Sequence, residues 1–560
     1  MLMSWPSETF ASGKHEVPIN KVKPMDNSGL QANLTFPDYL DYVDDTLIIN
    51  NIYTFKSYKN QGKIYITALD GLKSAKIFIN GKEINIDKIL ENNETTYEVN
   101  ISSLTKNGKN TIQITNLKPE TGKINVKIPY PEVISGSPAS VGIHENTLDL
   151  IDTLINNDIK YGFTSAQLAI IKDGVMIKNS AYGTVNAYNP DGTPKGDSPK
   201  VDTNTLYDLA SNTKMYATNY AIQKLVDDEK IAITDKINKY FPEFVDGKDD
   251  LIKGKDTITI QHLLEHQGGF PADPQYHNEK FDQKTQKSNP DAINYLFSQN
   301  KKTTKEMVLK TPLQYQPGSK TLYSDVDYML LGFIIEEVTG MELDKYVENT
   351  FYKPLGLNNI VYNPLEKGFS KNTIAATELN GNTRDGAVNF ANIRDYTLQG
   401  EVHDEKAYYS MGGVAGHAGL FSNASNLAKL AQVMINGGGY GNHKFFSQNT
   451  IDEFTKRKSS SPVWGLGWWR QGDNGRSWYF SPQSSRNTYG HQGWTGTLTL
   501  IDPENNLIIV LLTNKINSPL IDNSINPNMF YGNKFTTATL GAIPTLVYES
   551  IIHNDDDAII

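Results

Sequence analysis

The 560-residue sequence predicts an α+β domain preceded by a small all-β domain. Residues 46–130 form short alternating strands separated by tight turns, with no helical pattern, which favours a β-sandwich or a jelly roll. Beyond residue 142, strand hairpins near both ends enclose helical segments concentrated over residues 211–360. This order favours an antiparallel sheet completed by both ends of the domain, with a helical insertion packed against it.

Composition narrows the function classes. A chain of 560 residues is too long for one ordinary domain, and its 38% hydrophobic content supplies ample core. The formal net charge of −10 provides no basic field for nucleic acid or an anionic membrane surface, so we expect no nucleic-acid partner. The absence of cysteine excludes disulfides, thiol nucleophiles and cysteine-based zinc sites.

The sequence contains no targeting or membrane signal. Its opening residues have neither a basic segment nor an apolar core, and no apolar run reaches the roughly 18 residues of a membrane helix. We therefore expect no transmembrane segment. The protein is extracytoplasmic or in the cell envelope if a signal peptide has been removed, and cytoplasmic otherwise.

Residues 1–130 predict an irregular segment followed by a β domain. Residues 1–45, rich in Pro, Asn and Asp, predict an irregular lead-in, and residues 46–130 predict the jelly-roll-like sandwich. Asn80-Gly81 between two alternating strands predicts a type I′ hairpin turn.

The second domain follows a linker. Residues 131–142 combine prolines with small residues and show no periodicity, which predicts a linker. Residues 143–555 predict the catalytic domain, opening with a helix and a hairpin that turns at Asp173-Gly174.

Ser211 and Lys214 are the leading catalytic candidates. Three residues apart at a helix start, they share one face, so the amine can reach the hydroxyl. A serine hydroxyl is a weak nucleophile until a neighbouring base takes its proton. The same spacing also occurs at Ser103–Lys106 and Ser298–Lys301. Spacing alone therefore does not select the nucleophile.

Three segments in order carry a family resemblance. LYDLASNTK, YSDVDYMLLGFIIEEVTG and YGHQGWTGT resemble the signature segments of the penicillin-binding-protein and class C β-lactamase superfamily, over roughly residues 150–550. The stretch HDEKAYYSMGGVAGHAGLFSNASNLAKLA further resembles cell-wall-active penicillin-binding proteins and muropeptide amidases. The resemblance implies a β-lactamase/transpeptidase-like catalytic domain and selects Ser211 from the three matches.

The resemblance also implies residue roles. Ser211 attacks the carbonyl; Lys214 accepts its proton if neutral, or stabilises a Tyr323 phenolate that accepts it. The choice between these two bases stays open. The oxyanion would lie between the backbone N–H groups of Ser211 and Trp494, and Gly493 permits close approach of the substrate.

Three positions depart from the common pattern. Asp325 stands where class C enzymes usually carry Asn, and a carboxylate accepts an ammonium or an N–H instead of donating. His491 replaces the frequent Lys and is mostly neutral near pH 7, and Gln492 replaces a hydroxyl residue. These changes weaken the case for an efficient β-lactamase and leave acyl transfer intact.

Two further polar groups attract attention. His403, Asp404 and Glu405 precede a Gly-rich loop and are candidates for substrate binding near the serine or for loop hydrogen bonding. His262 and His266 belong to an H-x-x-E-H pattern typical of inverted zinc peptidases, whereas the family resemblance makes the same stretch structural. We expect no metal and no cofactor.

The resulting prediction is a serine acyl-transfer hydrolase acting on a peptidoglycan fragment or another small acyl substrate. D-Alanyl-D-alanine carboxypeptidase activity is the first choice, and N-acetylmuramoyl-L-alanine amidase and carboxylesterase are alternatives. β-Lactams are possible covalent ligands, and the N-terminal β domain is a candidate for glycan contact. The alternative of another class is a glycan-binding protein with a vestigial site; retention of Ser211, Lys214 and Tyr323 argues against it.

Overall fold

The computed structural model describes residues 14–24, 29–37, 40–43, 46–49, 52–456 and 462–551. They divide into two compact units, Met1–Glu132 with Gly438–Phe445, and Val133–Gly437 with Phe446–Ile560. Residues 1–13 of the predicted lead-in and 552–555 of the predicted catalytic domain lie outside the described residues. Within the described ranges, no helix combines the length and apolar character needed to cross a membrane.

The elements are numbered in chain order. The strands are β1 (Ile19–Lys21), β2 (Ala32–Phe36), β3 (Leu40–Val43), β4 (Thr46–Ile49), β5 (Ile52–Ser57), β6 (Lys63–Leu69), β7 (Ser74–Ile79), β8 (Lys82–Ile84), β9 (Thr96–Asn100), β10 (Gly108–Lys118), β11 (Lys123–Ile128), β12 (Ile134–Ser135), β13 (Ser165–Lys172), β14 (Val175–Gly183), β15 (Tyr207–Asp208), β16 (Phe281–Asp282), β17 (Lys287–Ser288), β18 (Ile360–Tyr362), β19 (Leu420–Ser422), β20 (Gly439–Tyr440), β21 (His443–Lys444), β22 (Trp469–Arg470), β23 (Tyr489–Gly493), β24 (Thr497–Asp502) and β25 (Leu507–Thr513). The α-helices are α1 (Asp87–Leu90), α2 (Glu145–Lys160), α3 (Tyr220–Asp227), α4 (Ile260–Leu264), α5 (Lys301–Lys310), α6 (Asp325–Thr339), α7 (Leu343–Val347), α8 (Ala424–Ile435), α9 (Gln448–Thr455), α10 (Ser477–Phe480) and α11 (Ala542–Glu549). The 3-10 helices are Ser102–Leu104, Pro138–Val141, Ala210–Asn212, Ile237–Lys239, Lys255–Thr257, Lys371–Thr373, Tyr531–Lys534 and Thr536–Ala538. The π-helical segments are Lys214–Asn219, Glu348–Tyr352 and Lys406–Ser410.

The first unit is a β-sandwich. One antiparallel sheet has the strand order β1-β9-β6-β11-β2 and the other β5-β10-β7-β8. Alternate residues of both sheets, such as Ile66 and Ile77, meet in a single apolar core. The β7–β8 hairpin turns at Asn80 and Gly81, both with positive φ (49° and 79°), as the type I′ prediction requires.

The predicted irregular lead-in is wrong for part of its length. Ile19–Lys21, Ala32–Phe36 and Leu40–Val43 are strands, and the second of these pairs with Lys123–Ile128 at the edge of the five-stranded sheet. ANLTF alternates apolar and polar residues, but it is short and lies among prolines and asparagines. Its partner lies about 90 residues downstream, so local sequence gives little sign of the pairing.

The second unit is built on a seven-stranded sheet with the order β12-β14-β13-β25-β24-β23-β22. Strands from the start of this unit therefore pair with strands from its end, as the α+β prediction requires. The Asp173-Gly174 turn joins β13 to β14, with both residues at positive φ. The helices α3–α10 fall between β14 and β23 in the chain.

Both faces of the interior strand β13 are covered. Leu168 and Ile170 join an apolar cluster with residues of α2 and α11, such as Ile151 and Ile543. Gln167 points to the other face, where its side-chain oxygen accepts the backbone N–H of Ala424 at the start of α8 (2.9 Å).

The predicted linker is also partly ordered as secondary structure. Ile134–Ser135 is a short strand that pairs in parallel with Val175–Met176, and Pro138–Val141 is a 3-10 turn. The prolines and small residues of this segment therefore lead the chain along the edge of the sheet into α2.

Candidate active site

Ser211 lies in a tight turn that follows β15. The Asp208 side chain holds this turn, since its Oδ1 accepts the Ala210 N–H (2.8 Å) and its Oδ2 accepts the His403 N–H (2.7 Å). Ala210 has a φ of +46°, which is uncommon for a residue with a Cβ and marks a constrained backbone just before the serine.

A row of threonines ties this turn to the sheet. Thr495 Oγ1 donates to the Asp208 carbonyl (2.7 Å), and Thr497 Oγ1 donates to the Leu209 carbonyl (3.0 Å). The Asn212 amide bridges Thr497 and Thr499, at 3.0 Å each. The hairpin carrying the third motif is therefore held against the turn that carries the serine.

Lys214 is fully buried beneath the serine. Its Nζ lies 3.1 Å from Ser211 Oγ, 2.8 Å from Asp325 Oδ1 and 3.1 Å from the His417 carbonyl oxygen. Burial lowers the pKa of Lys214, but the Asp325 carboxylate and Tyr323 raise it by a larger amount. The pKa of Lys214 therefore lies above its usual value. Lys214 is therefore an ammonium at neutral pH.

Acidic and basic side chains alternate around this lysine in what we call the charged cluster: Lys214, Asp325, Lys406, Asp404 and His417. Lys406 Nζ lies 3.2 Å from Asp325 Oδ2 and 3.8 Å from Asp404 Oδ2, and His417 Nε2 lies 2.8 Å from Asp404 Oδ1. Burial alone would raise the pKa of Asp325, but the two ammonium groups hold it below its usual range. Asp325 is thus a carboxylate shared by two buried lysines.

The segment that supplies this cluster reaches the serine through a small sheet. β19 pairs with β15, so Phe421 faces Asp208 directly. The chain from Lys406 to His417 immediately precedes β19 and is thereby brought to the Ser211 turn. Asp325 arrives separately as the first residue of α6, whose preceding Ser324 accepts the Val326 N–H (3.2 Å) as an N-cap.

The other wall of the site is the aromatic cluster: Tyr323, His266, His491 and Trp469. The His266 ring lies 4.4 Å from the Tyr323 ring, and the His491 ring lies 6.1 Å from Tyr323 and 4.8 Å from Trp469, between centroids. Burial raises the pKa of Tyr323 and lowers the pKa of His491 to about 3. This wall is therefore uncharged at neutral pH.

These groups border a cleft of about 420 Å³. It is lined by predicted residues Ser211, Tyr323, Asp325, His403, Asp404, Glu405 and Trp494, together with Asp273, Gln275, His277, Arg384, Lys406 and others. The serine, the tyrosine and the three polar residues before the Gly-rich loop therefore share one cavity. Lys214 lies below its floor.

The third motif is only partly at the cleft. Trp494 lines it with 46% of its surface exposed, whereas His491, Gln492 and Gly493 are not among the lining residues. A Cβ on Gly493 would lie 2.3 Å from the Leu209 carbonyl oxygen, so glycine permits contact between this strand and the serine turn, not only approach of a substrate. His491 Nδ1 lies 2.7 Å from the Gln492 carbonyl, and its Nε2 is buried without a partner among the described residues.

Sequence reasoning missed Lys406, Asp273, Arg384 and Glu378. Lys406 directly follows His403-Asp404-Glu405 in the chain. Its position next to three predicted site residues could have identified it as a further site residue. Arg384 donates to the Glu378 carboxylate, which also lies 2.9 Å from His403 Nε2. His403 and Glu405 thus contact other side chains of the same unit as well as lining the cleft.

Two arrangements bear on metal binding. Ligand atoms of Asp325, Asp404 and His417 lie within 4.8 Å of one another, but the Lys214 and Lys406 ammonium groups already contact the two carboxylates. The two histidines of the H-x-x-E-H stretch have separate structural partners: His262 Nδ1 accepts the Thr259 N–H, and His266 Nδ1 faces Asp327 Oδ2 (3.0 Å).

A serine with a buried lysine at 3.1 Å, on a turn packed against an antiparallel sheet, defines a serine hydrolase that works by acyl transfer. The comparisons agree: the Beta-lactamase family model matches residues 150–532, and the chain belongs to that family. A protein of Salmonella paratyphi B named "Putative D-alanyl-D-alanine carboxypeptidase" is 51% identical over 425 residues, which cover 76% of this chain and 95% of that protein. The Salmonella typhi protein of the same name gives the same values. The solved structure of EstCE1, titled a hydrolase with promiscuous acyltransferase activity, shares the fold at a TM-score of 0.51 and 17% identity, covering 73% of this chain and 99% of EstCE1.

Proposed function

We propose that the protein is a D-alanyl-D-alanine carboxypeptidase that forms an acyl-enzyme on Ser211. The observation that carries this proposal is the 3.1 Å contact between Lys214 Nζ and Ser211 Oγ at the floor of an open cleft. Ser211 Oγ would attack the penultimate carbonyl, the peptide C–N bond would break with a proton passing to the departing D-alanine, and water would release the acyl group. The name of the Salmonella relatives supports this substrate class.

The proton route follows from the charges. Because the Asp325 carboxylate holds Lys214 as an ammonium, Lys214 is a poor acceptor for the serine proton. We assign general base catalysis to a Tyr323 phenolate, stabilised by the Lys214 ammonium 4.8 Å from its ring centroid. Burial raises the pKa of Tyr323, so this phenolate is a minor species at pH 7 and becomes more abundant as pH rises.

The substrate carboxylate needs a cation, and the third motif does not provide one. His491 is buried and neutral, whereas Arg384 and Lys406 line the cleft. We therefore assign recognition of a terminal carboxylate to these two side chains, which already contact Glu378 and Asp325 and would share these contacts with the substrate. Trp494 borders the same cleft, and its backbone N–H and that of Ser211 are the proposed oxyanion donors.

The neutral third motif also favours a second candidate, an N-acetylmuramoyl-L-alanine amidase. The bond that an amidase cleaves has no free carboxylate beside it. Binding of that substrate therefore does not require a cation on β23. An amidase would use the same Ser211 and Tyr323 with a different acyl group, and only a substrate panel separates the two.

The direct test is covalent labelling by a fluorescent penicillin. Wild type should be labelled on Ser211, and Ser211→Ala should not. Ser319→Ala is a matched control, because Ser319 is an exposed serine of the same unit outside the cleft. Labelling of Ser211→Ala would refute the nucleophile. Hydrolysis of a muramyl peptide in preference to a D-Ala-D-Ala peptide would transfer the assignment to the amidase.

Two predictions extend beyond the site. Action on peptidoglycan would place the protein outside the cytoplasm, which fractionation of the producing cell tests. Glycan contact through the N-terminal sandwich stays a prediction, and peptidoglycan pull-down by the wild-type chain compared with a variant lacking residues 1–132 tests it.

A further inference from the structure

A second groove, of about 690 Å³, lies in the same unit as the cleft. Its lining includes three tyrosines, Tyr396, Tyr408 and Tyr409, together with the amide side chains of Gln299, Asn300 and Asn392. None of these residues lines the Ser211 cleft. The volume falls within the range of pockets for small ligands.

The aromatic side of this groove is held in place by Arg394, which is itself a lining residue. The Arg394 guanidinium stacks 3.7 Å from the Tyr408 ring centroid and is fixed by the Asn382 side-chain oxygen, at 3.0 Å from Nε and 2.7 Å from Nη2. The Tyr409 hydroxyl accepts the Arg394 backbone N–H (2.6 Å). Tyr396 has 44% of its surface exposed. A ring surface is therefore presented to solvent at little further entropic cost on binding.

The polar side offers exchangeable hydrogen bonds. Gln299 and Asn392 bond each other reciprocally, at 3.1 Å and 2.7 Å, and both bonds are solvent-exposed. An amide presents two donors and two acceptor lone pairs, so it matches hydroxyl and acetamido groups, which both donate and accept. Rings for the apolar faces of a sugar and amides for its hydroxyls are the two things a saccharide requires.

One short turn connects this groove to the cleft. In the π-helical segment Lys406–Ser410, Lys406 lines the Ser211 cleft whereas Tyr408 and Tyr409 line the groove. His277 lines the cleft as well, and its ring stacks on Tyr409 with centroids 5.9 Å apart. A ligand in one cavity is thus separated from the other by about one side chain.

We propose that this groove is a saccharide subsite, which binds the N-acetylhexosamine part of a glycan-linked peptide while the peptide reaches Ser211. The saccharide chemistry follows from the lining, whereas its linkage to the scissile peptide rests on the proposed function. The lining also contains two cations, Arg394 and Lys301. The Arg394 guanidinium contacts the Asn382 oxygen and the Tyr408 ring, and the Lys301 ammonium is paired with Glu336 at 2.7 Å.

The test begins with a saccharide alone. We would titrate the full chain with the β-1,4-linked disaccharide of N-acetylglucosamine, using ligand-observed NMR to obtain a Kd. Tyr396→Ala and Asn392→Ala should each weaken binding by about 10-fold or more. Tyr295→Ala is the matched control, since Tyr295 is a more exposed tyrosine (63%) outside the groove and should leave Kd unchanged. Thermal unfolding of each variant confirms that it is folded.

The outcomes separate the two proposals. No disaccharide binding by wild type, equal binding by Tyr396→Ala, or displacement of the disaccharide by a free stem peptide would each overturn the subsite. Disaccharide binding without penicillin acylation would refute the proposed function and leave the subsite standing. With a disaccharide-linked peptide as substrate, Tyr396→Ala should raise KM about 10-fold with kcat within 2-fold, and penicillin acylation should be unchanged.

Discussion

The charged cluster and the aromatic cluster border the same serine, yet they accommodate buried polar groups in opposite ways. In the charged cluster every buried ammonium contacts at least one carboxylate, so the charges persist at neutral pH. In the aromatic cluster the imidazoles of His266 and His491 each leave Nε2 buried without a partner among the described residues, and their pKa values are lowered. Pairing keeps one side of the serine ionised, and desolvation keeps the other side neutral.

This difference assigns separate duties to the two sides. The charged cluster sets the electrostatic potential at Ser211 Oγ, because Asp325 fixes Lys214 as a cation. The aromatic cluster surrounds Tyr323 with apolar and neutral groups, which makes its phenolate reactive when it forms. Changes in the two clusters should therefore differ in kind, and the following four predictions test that.

The largest effect is expected for Lys214→Met. Loss of the ammonium removes the stabiliser of the phenolate and leaves Asp325 paired only with Lys406, so penicillin acylation should fall by roughly 10³-fold. Stopped-flow or gel-based acylation rates measure this. Lys106→Met, at an exposed lysine of another S-x-x-K match, is the control and should keep the wild-type rate. An acylation rate within 10-fold of wild type for Lys214→Met would refute the electrostatic duty.

Gly493→Ala should come next. The added Cβ would lie 2.3 Å from both the Leu209 carbonyl oxygen and Thr497 Oγ1, so the hairpin must move away from the serine turn. We expect acylation to fall by about 10²-fold with the chain still folded, because displaced oxyanion donors typically cost that much. Gly196→Ala, where a Cβ meets no atom within 4 Å, is the control. Equal rates for the two variants would remove β23 from the site.

Asp325→Asn should change the pH dependence more than the maximal rate. In the wild type, Asp325 helps to raise the pKa of Lys214; without that carboxylate, burial dominates and the pKa falls. The alkaline rise in acylation rate should therefore shift to lower pH, because a neutral Lys214 can itself accept the serine proton. Acylation rates between pH 6 and 10 measure the shift. Glu337→Gln, on an exposed face of α6, should show the wild-type profile, and an unshifted profile for Asp325→Asn would contradict the pairing argument.

The smallest effect concerns stability. The folded-state pKa of His491 is about 3, below the unfolded value of ~6.5, so the unfolded chain binds the extra proton. The resulting stability is complete above about pH 6.5 and is lost as pH falls toward 3. The urea concentration at the unfolding midpoint should be lower at pH 5 than at pH 7.5. His491→Asn should reduce this difference between the two pH values. His144→Asn, at an exposed histidine, should leave the drop at its wild-type size; a drop equally large in His491→Asn would refute the claim for the aromatic cluster.

Sequence reasoning reached the family, the α+β fold and the serine-lysine pair because those features are local or ordered along the chain. Turns such as Asp173-Gly174 and the three motifs can be recognised in the sequence without knowledge of which strands pair. Lys406 was not recognised because its role depends on pairing of β15 with β19, more than 200 residues apart. The burial of His491 behind Tyr323 was likewise invisible, since a strand residue's face is decided by what packs on it.

The sheet that joins the two ends of the second unit also constrains how the protein is made. Ala166 on β13 pairs with Thr513 on β25, so the ribosome adds 347 residues (513 minus 166) before that partner exists. At ~5–20 residues per second, this takes roughly 17–70 s, during which one edge of β13 is unpaired. The Ser211 turn is therefore synthesised long before the hairpin that packs against it. A chain that ends before β25 lacks the strand that pairs with β13, so it should not be labelled by a fluorescent penicillin.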